Sequence, residues 1–205
     1  MNRNFALGAK RAFDIAAAAI GLVVLSPLFV CIAVAIVLDS PGSLIFRLRV
    51  AGRHGQAFDL WKFRTMVEGA RQKVHPFDTF LGDPRITRVG RFLRRWSLDE
   101  LPQLWNVLLG DMSLVGPRPV FVEVANRYSE HEQRRLEMRP GITGLAQVNG
   151  RNLISWSDRI ALDVAYIDHY SFWLDLKILL ATIPVVITGE GIYGPDGRVR
   201  MHDLA

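Results

Sequence analysis

Apolar residues run from Ile15 to Leu38, "IAAAAIGLVVLSPLFVCIAVAIVL", without one charge, lacking both the alternation of a strand and the one-sided stripe of a surface helix. As one straight helix the run would measure roughly 36 Å, enough to cross a hydrocarbon core of about 30 Å. Ser26-Pro27 falls near its centre. Proline removes a helical hydrogen bond and clashes with the preceding turn, so the pattern predicts helix, break, helix. Each half would be roughly 16 Å long, about half a bilayer. The Ser26 hydroxyl can supply a polar partner at such a break.

Beyond the Pro41-Gly42 turn the period changes. "LIFRLRV" alternates apolar and basic residues and "AFDLWKF" follows across a glycine-containing connection, which predicts a hairpin or meander near residues 44 to 64. Residues 65 to 90, including "GDPRITRVG", read as loop. Helices are expected at Ser97 to Leu109, at Val120 to Met138 and at Ser157 to Tyr170. The second carries Glu123/Arg127 and Glu130/Arg134 at i,i+4 spacing on a solvated face. Between the last two, "RPGITGLAQVNGRN" reads as a glycine-punctuated loop with a short strand. "FWLDLKILLATIPVVITG" is interrupted by Asp175, Lys177 and Pro184, too often to span a bilayer. An interfacial helix led by Phe172 and Trp173 fits it, as does an ordinary core helix. The expected class is α+β, with a single core for 205 residues.

Composition adds a membrane and an acidic partner. Half the residues are hydrophobic, mean hydropathy is +0.17, and the apolar excess sits toward the two ends. The one cysteine, Cys31, excludes an intrachain disulfide. A net charge of +5 and a pI near 9.8 suit anionic lipid, phosphorylated substrates or nucleic acid. No recognisable nucleic-acid motif interleaves the basic residues with aromatics, which argues against the last. A signal peptide is disfavoured by the length of the apolar run and the lack of a small-residue cleavage site. Lys10 and Arg11 precede the run and Arg47, Arg49 and Arg53 follow it, so the positive-inside rule places both ends on one side. That favours a re-entrant hairpin, while the length of the run suits a spanning helix; on the residues alone both readings stand.

The chemistry centres on "RRWSLDELPQLWN", where Asp99 and Glu100 stand together. The S-x-x-E spacing from Ser97 is that of a capping box, so the acids could simply cap a helix. Equally, a helix N-terminus seats phosphate, and two carboxylates there would call for a magnesium ion or for a carboxylate that attacks phosphorus. Arg91, Arg94, Arg95 and Arg118 lie near in sequence, and a guanidinium fork suits phosphate. Zinc spacings, a Walker A loop and a D-x-D metal site are missing. "GEGIYG" matches a dinucleotide fingerprint in form only, with too little chain after it. A non-catalytic, membrane-peripheral protein that docks on anionic lipid remains the rival reading.

"KRAFDI", the Ser-Pro break, "KFRTM", "SLDELPQLWNVLLGDMSLVGPRP", "RPGITGLAQVNGRN" and "DVAYIDHYS" together resemble the bacterial sugar transferase family, the monotopic phosphoglycosyl transferases, over Lys10 to about Ile192. The chain looks like the minimal form, without the multi-span N-terminal region of larger members. The resemblance implies transfer of a phosphosugar from a UDP-sugar to undecaprenyl phosphate with release of UMP, initiating surface glycan assembly. It implies a ping-pong course in which Asp99 forms a covalent phosphosugar intermediate and holds Mg²⁺, with Glu100 as acid/base or positioning partner. Lys62, Arg64, Arg94, Arg118 and Arg151 become candidate phosphate or nucleotide contacts, joined by Gln147, Asp163 and Asp168. The family tips the anchor to a re-entrant hairpin over residues 1–40, turning at Ser26-Pro27 with Lys10 and Arg11 near lipid headgroups. Residues 41–192 would form a catalytic domain on the cytoplasmic face of the bacterial inner membrane, and 193–205 a tail. The partners are donor, acceptor and lipid, without nucleic acid; sugar identity and oligomeric state stay open.

Overall fold

The apolar run folds as two helices, α1 (Arg3–Val24) and α2 (Ser26–Asp39), bent by 60° at Leu25. The break falls where proline dictates, and the Ser26 hydroxyl donates to the Val23 carbonyl at 2.8 Å. The computed structural model describes residues 3–70 and 79–199. No single helix among them is long and apolar enough to cross a membrane, although the bent pair passes that test together. Ile20, Val23, Val24, Val34 and Leu38 are all more than half exposed along the pair.

The inner face of α1 is built at i, i+4, i+8 from Lys10, Asp14 and Ala18, all buried. Lys10 was expected near lipid headgroups, but its ammonium lies inside the protein, 2.6 Å from Asp175. Arg11 is likewise turned inward, donating to the Val107 and Leu108 carbonyls at 2.6 and 2.9 Å. Both charges satisfy buried partners that would otherwise be stranded, which outweighs their value at a headgroup.

The hairpin forms as the alternation predicts. β1 (Ile45–Ala51) pairs antiparallel with β2 (Ala57–Phe63), Leu48 opposite Leu60 and Val50 opposite Phe58. Those four side chains are in the core while Arg47 and Arg49 stay on the other face. The expected loop of 65 to 90 proves partly ordered: Met66 bridges Ile86, β3 (Thr79–Phe80) is a short strand, and α3 (Arg88–Arg95) starts inside it. Residues 71–78 lie outside the described residues. Thr87 caps α3, its side chain accepting from the Gly90 amide at 2.9 Å. Gly90 is pressed on the end of β2 so tightly that a Cβ there would collide with the Thr65 carbonyl oxygen. Gly90→Ala should therefore cost about 2 kcal/mol and separate α3 from Thr65. A melting temperature unchanged from the parent's would refute this.

The expected helix over Ser97 to Leu109 is instead a 3₁₀ turn, Leu98–Glu100, followed by α4 (Gln103–Leu109). Pro102 has no N–H to continue the ladder, and Leu98 accepts from the Leu101 amide instead. Next come β4 (Ser113–Val115), β5 (Val120–Phe121), α5 (Val122–Ala125) and α6 (Glu130–Gln133). The long helix expected over Val120 to Met138 is thus broken. Ser129 and Glu132 make a capping box that starts α6 afresh, and Arg135 is buried rather than solvated.

β6 (Gly141–Thr143) pairs parallel with β4, while β5 joins the free edge of β1, giving the sheet order β2-β1-β5. α7 (Leu145–Val148) leads to α8 (Trp156–Asp168) and α9 (Phe172–Thr188), and β7 (Arg198–Val199) pairs with β3. The class is α+β. α9 buries Asp175 and Ile178, whereas Trp173, Leu180, Ile183 and Ile187 are more than half exposed. The main core lies between the hairpin, α1, α4 and α8. Of the C-terminal tail, 200–205 lie outside the described residues.

Candidate active site

A cleft of about 530 Å³ opens between the end of β2, the 3₁₀ turn, the loop after β4 and the face of α8. Asp99 and Glu100 sit in its wall, and the surrounding chain explains how two carboxylates share it. Lys62, on β2, donates to Glu100 at 2.8 Å, and Arg118, on the loop between β4 and β5, grips the same carboxylate at 2.5 and 3.3 Å. Burial works against the Glu100 charge. Arg118 and Lys62 outweigh it and hold the carboxyl well below the usual carboxylate range.

Asp99 is treated oppositely. It is 9 % exposed, and its side chain has no hydrogen-bond or ion-pair partner among the described residues. Burial pushes its pKa up, against the pull of Lys62; the neighbouring Glu100 charge adds to the rise, while Arg94 and Arg118 oppose it. One acid is therefore committed to two cations and the other is left available, surrounded by positive charge.

The residues around the dyad are held by unusual backbone. Ser97 adopts φ 54° and Arg151 φ 53°, left-handed conformations uncommon for side chains of this kind, and they meet: Arg151 donates from Nη2 to the Ser97 hydroxyl at 3.2 Å. Ser97 therefore does not close the expected capping box; its hydroxyl caps nothing. Positive potential at the dyad comes from side chains and not from a helix end, because the acids sit in one 3₁₀ turn. Nη1 of Arg151 is buried and unpartnered, and burial, with Arg118 nearby, lowers the Arg151 pKa.

Other expected contacts divide. Arg94 lines the cleft with its Nε held by the Thr65 hydroxyl at 2.8 Å. Arg64 also reaches the cleft, but its guanidinium donates to the carbonyls of Ser40, at 2.6 Å, and Pro41. That ties β2 to the end of α2. Gln147 and Asp163 are in the lining, and Asp163 is paired with Arg135 at 2.5 Å. Asp168 lies outside the lining, exposed and paired with Arg134. Sequence reasoning passed over Thr65, Trp156 and Arg135, and gave Ser97 only a capping role. Only Trp156 carried a signal, seven residues before Asp163 on one helical face.

The donors available to magnesium are few. No group of three or more His, Cys, Asp or Glu side chains converges among the described residues, so a closed protein cage is absent there. Glu100 is already spent on Lys62 and Arg118. Of the dyad, Asp99 alone offers oxygen, which fits an ion that takes one carboxylate and draws its remaining ligands from phosphate and water.

Known proteins share this sequence over nearly its whole length. The sequence profile of the family described as bacterial sugar transferase matches residues 5–189. The sugar transferase EpsL of Bacillus subtilis is 48% identical over 184 residues, 89% of each chain. The UDP-glucose:undecaprenyl-phosphate glucose-1-phosphate transferase of Escherichia coli is 45% identical over 182 residues, 85% of this chain and 39% of that one. The undecaprenyl-phosphate galactose phosphotransferase of Salmonella typhimurium is 40% identical over 198 residues, 90% and 41%. A profile of such extent, with relatives at such identity, places the chain in the bacterial sugar transferase family.

Proposed function

We propose that this chain transfers a sugar 1-phosphate from a UDP-sugar to undecaprenyl phosphate and releases UMP. The single observation that carries the reading is the split of the dyad: Glu100 neutralised by Lys62 and Arg118, Asp99 unpaired among cations. In the first step an Asp99 oxygen bonds to the phosphorus bearing the sugar. The bond from that phosphorus to the bridging oxygen breaks, and UMP leaves with the electron pair. An oxygen of the polyprenol phosphate then attacks the same phosphorus and expels the carboxylate, restoring Asp99. Glu100 acts as the anchor that fixes Lys62 and Arg118 beside the reacting phosphate. Arg94 and the free Nη1 of Arg151 are its candidate ligands, since they retain donors.

Magnesium at Asp99 would neutralise the donor diphosphate when bound. Chelation should stop UMP release and added Mg²⁺ restore it. The deciding assay is UMP release across UDP-sugars with undecaprenyl phosphate in lipid nanodiscs. Repeated turnover that demands both lipid phosphate and metal, with no more than one UMP released per chain when the lipid phosphate is left out, supports the reaction. No release from folded protein with any donor favours a lipid-docking protein without catalysis.

The same reading puts α1 and α2 into the cytoplasmic face of the bacterial inner membrane as a re-entrant hairpin. The bend, the Ser26 bond and the exposed apolar faces of α1, α2 and α9 support it. In a Cys31→Ser background, Phe5→Cys should be shielded from an impermeant thiol reagent in intact cells and labelled after lysis. Labelling from outside would refute the hairpin.

A further inference from the structure

The cleft has a second polar pole that the transfer chemistry leaves unused. Trp156 and Asp163 lie seven residues apart on α8, two turns on one face, and both line the cleft. Their side chains converge on one guanidinium. Arg135 donates to Asp163 Oδ2 at 2.5 Å and stands 5.4 Å from the Trp156 ring centroid. Arg159 lies over the same ring at 5.9 Å. The indole is thereby clamped, with its edge held in place.

What these groups lack is informative. Trp156 Nε1 and Asp163 Oδ1 are both buried without a hydrogen-bond partner among the described residues. Asp163 is only 1% exposed. Buried polar atoms left unpaired are rare and costly, and at a cleft they point to a ligand. Burial raises the Asp163 pKa to about 6 despite Arg135, so near pH 7.5 its free oxygen is an acceptor. A lone N–H donor and an anionic acceptor gathered around the Arg135 guanidinium do not suit phosphate, which the carboxylate would repel. They suit a neutral ligand edge that presents a carbonyl next to an N–H.

Position selects which part of the donor this is. Arg135 also donates to the Arg118 carbonyl at 3.1 Å, while the Arg118 guanidinium holds Glu100. The second pole is thus separated from the dyad by about one arginine side chain, roughly 7 Å from ordinary bond lengths. The sugar, bonded to the phosphorus under attack, has to lie against the dyad. The base stands off by a phosphate and a ribose. We propose that Trp156 and Asp163 read the uracil edge of the donor, the indole N–H donating to a ring carbonyl and Asp163 Oδ1 accepting the imide N3–H. This rests on the UDP-sugar reading above.

The test is binding of UMP and of N3-methyl-UMP to the full chain in nanodiscs with Mg²⁺, for the parent and for Trp156→Phe, which keeps an aromatic face but removes the N–H. N3-methyl-UMP should bind the parent at least about tenfold more weakly than UMP. Trp156→Phe should weaken UMP by about fivefold to tenfold in protein that remains folded. Asp163→Asn, if folded, should lose most of the discrimination against the methylated base. Equal affinity of the parent for the two nucleotides overturns the proposal, as does a Trp156→Phe protein that binds UMP like the parent and alters only sugar preference. A parent that binds neither nucleotide takes down the donor reading itself, a result distinct from either.

Discussion

Asp99→Asn is expected to reduce UMP release by at least about 1,000-fold, as loss of a covalent nucleophile does. The amide has the shape of the carboxylate, and the Asp99 side chain has no partner among the described residues whose loss would disturb the fold. The effect should fall on the chemical step. UMP affinity should stay within about threefold of the parent's, because the cations and the far pole of the cleft are untouched. Intact-mass measurement after incubation with donor alone sharpens the point: the parent should gain one phosphosugar, the variant none. Full release from folded Asp99→Asn protein would remove the covalent route and with it the division of labour between Asp99 and Glu100.

The second large effect is on stability. Lys10→Met leaves Asp175 buried with Tyr166 alone, the Tyr166 hydroxyl donating to it at 2.7 Å. Breaking a buried ion pair from one side costs about 3 kcal/mol or more, whereas replacing both partners with apolar residues is often neutral. Lys10→Met should therefore lower the melting temperature in nanodiscs markedly, and Lys10→Met with Asp175→Leu should recover most of the loss. A Lys10→Met protein of parental stability that binds vesicles less tightly would return Lys10 to the headgroup role expected of its sequence position.

That reversal shows where sequence reading stops. The break at Ser26-Pro27 and the hairpin of Leu48, Val50, Phe58 and Leu60 are local, set by proline chemistry and by alternation, and both were legible. The dyad was legible through its motif. How its charges divide was not, because Lys62 and Arg118 reach Glu100 from 38 and 18 residues away. Helix spacing misled over Val120 to Met138: i,i+4 charge pairs look alike whether solvated or not, and nothing local marks Arg135 as buried between Asp163, Tyr128 and the Arg118 carbonyl. Asn106 is a similar case. Its side chain accepts from the Trp61 amide and donates to the Asp59 carbonyl, so it sets the spacing of β2 from α4. No short motif announces that.

The buried row of Lys10, Asp14 and Ala18 gives α1 a definite angular phase. Lys10 engages Asp175 on α9, Asp14 accepts from the Leu114 amide on β4, and Ala18 packs in the core. A single residue inserted between Asp14 and Ala18 would turn everything on one side of it by about 100°, so the helix could keep its ionic contacts or its core contact, not both. The N-terminal segment is thus splined to the catalytic body like a shaft in a hub: it can bend at Leu25, but it cannot rotate or slide. In the proposed membrane placement, the depth and tilt of α1 would be delivered rigidly to β4, whose following loop carries Arg118 to Glu100.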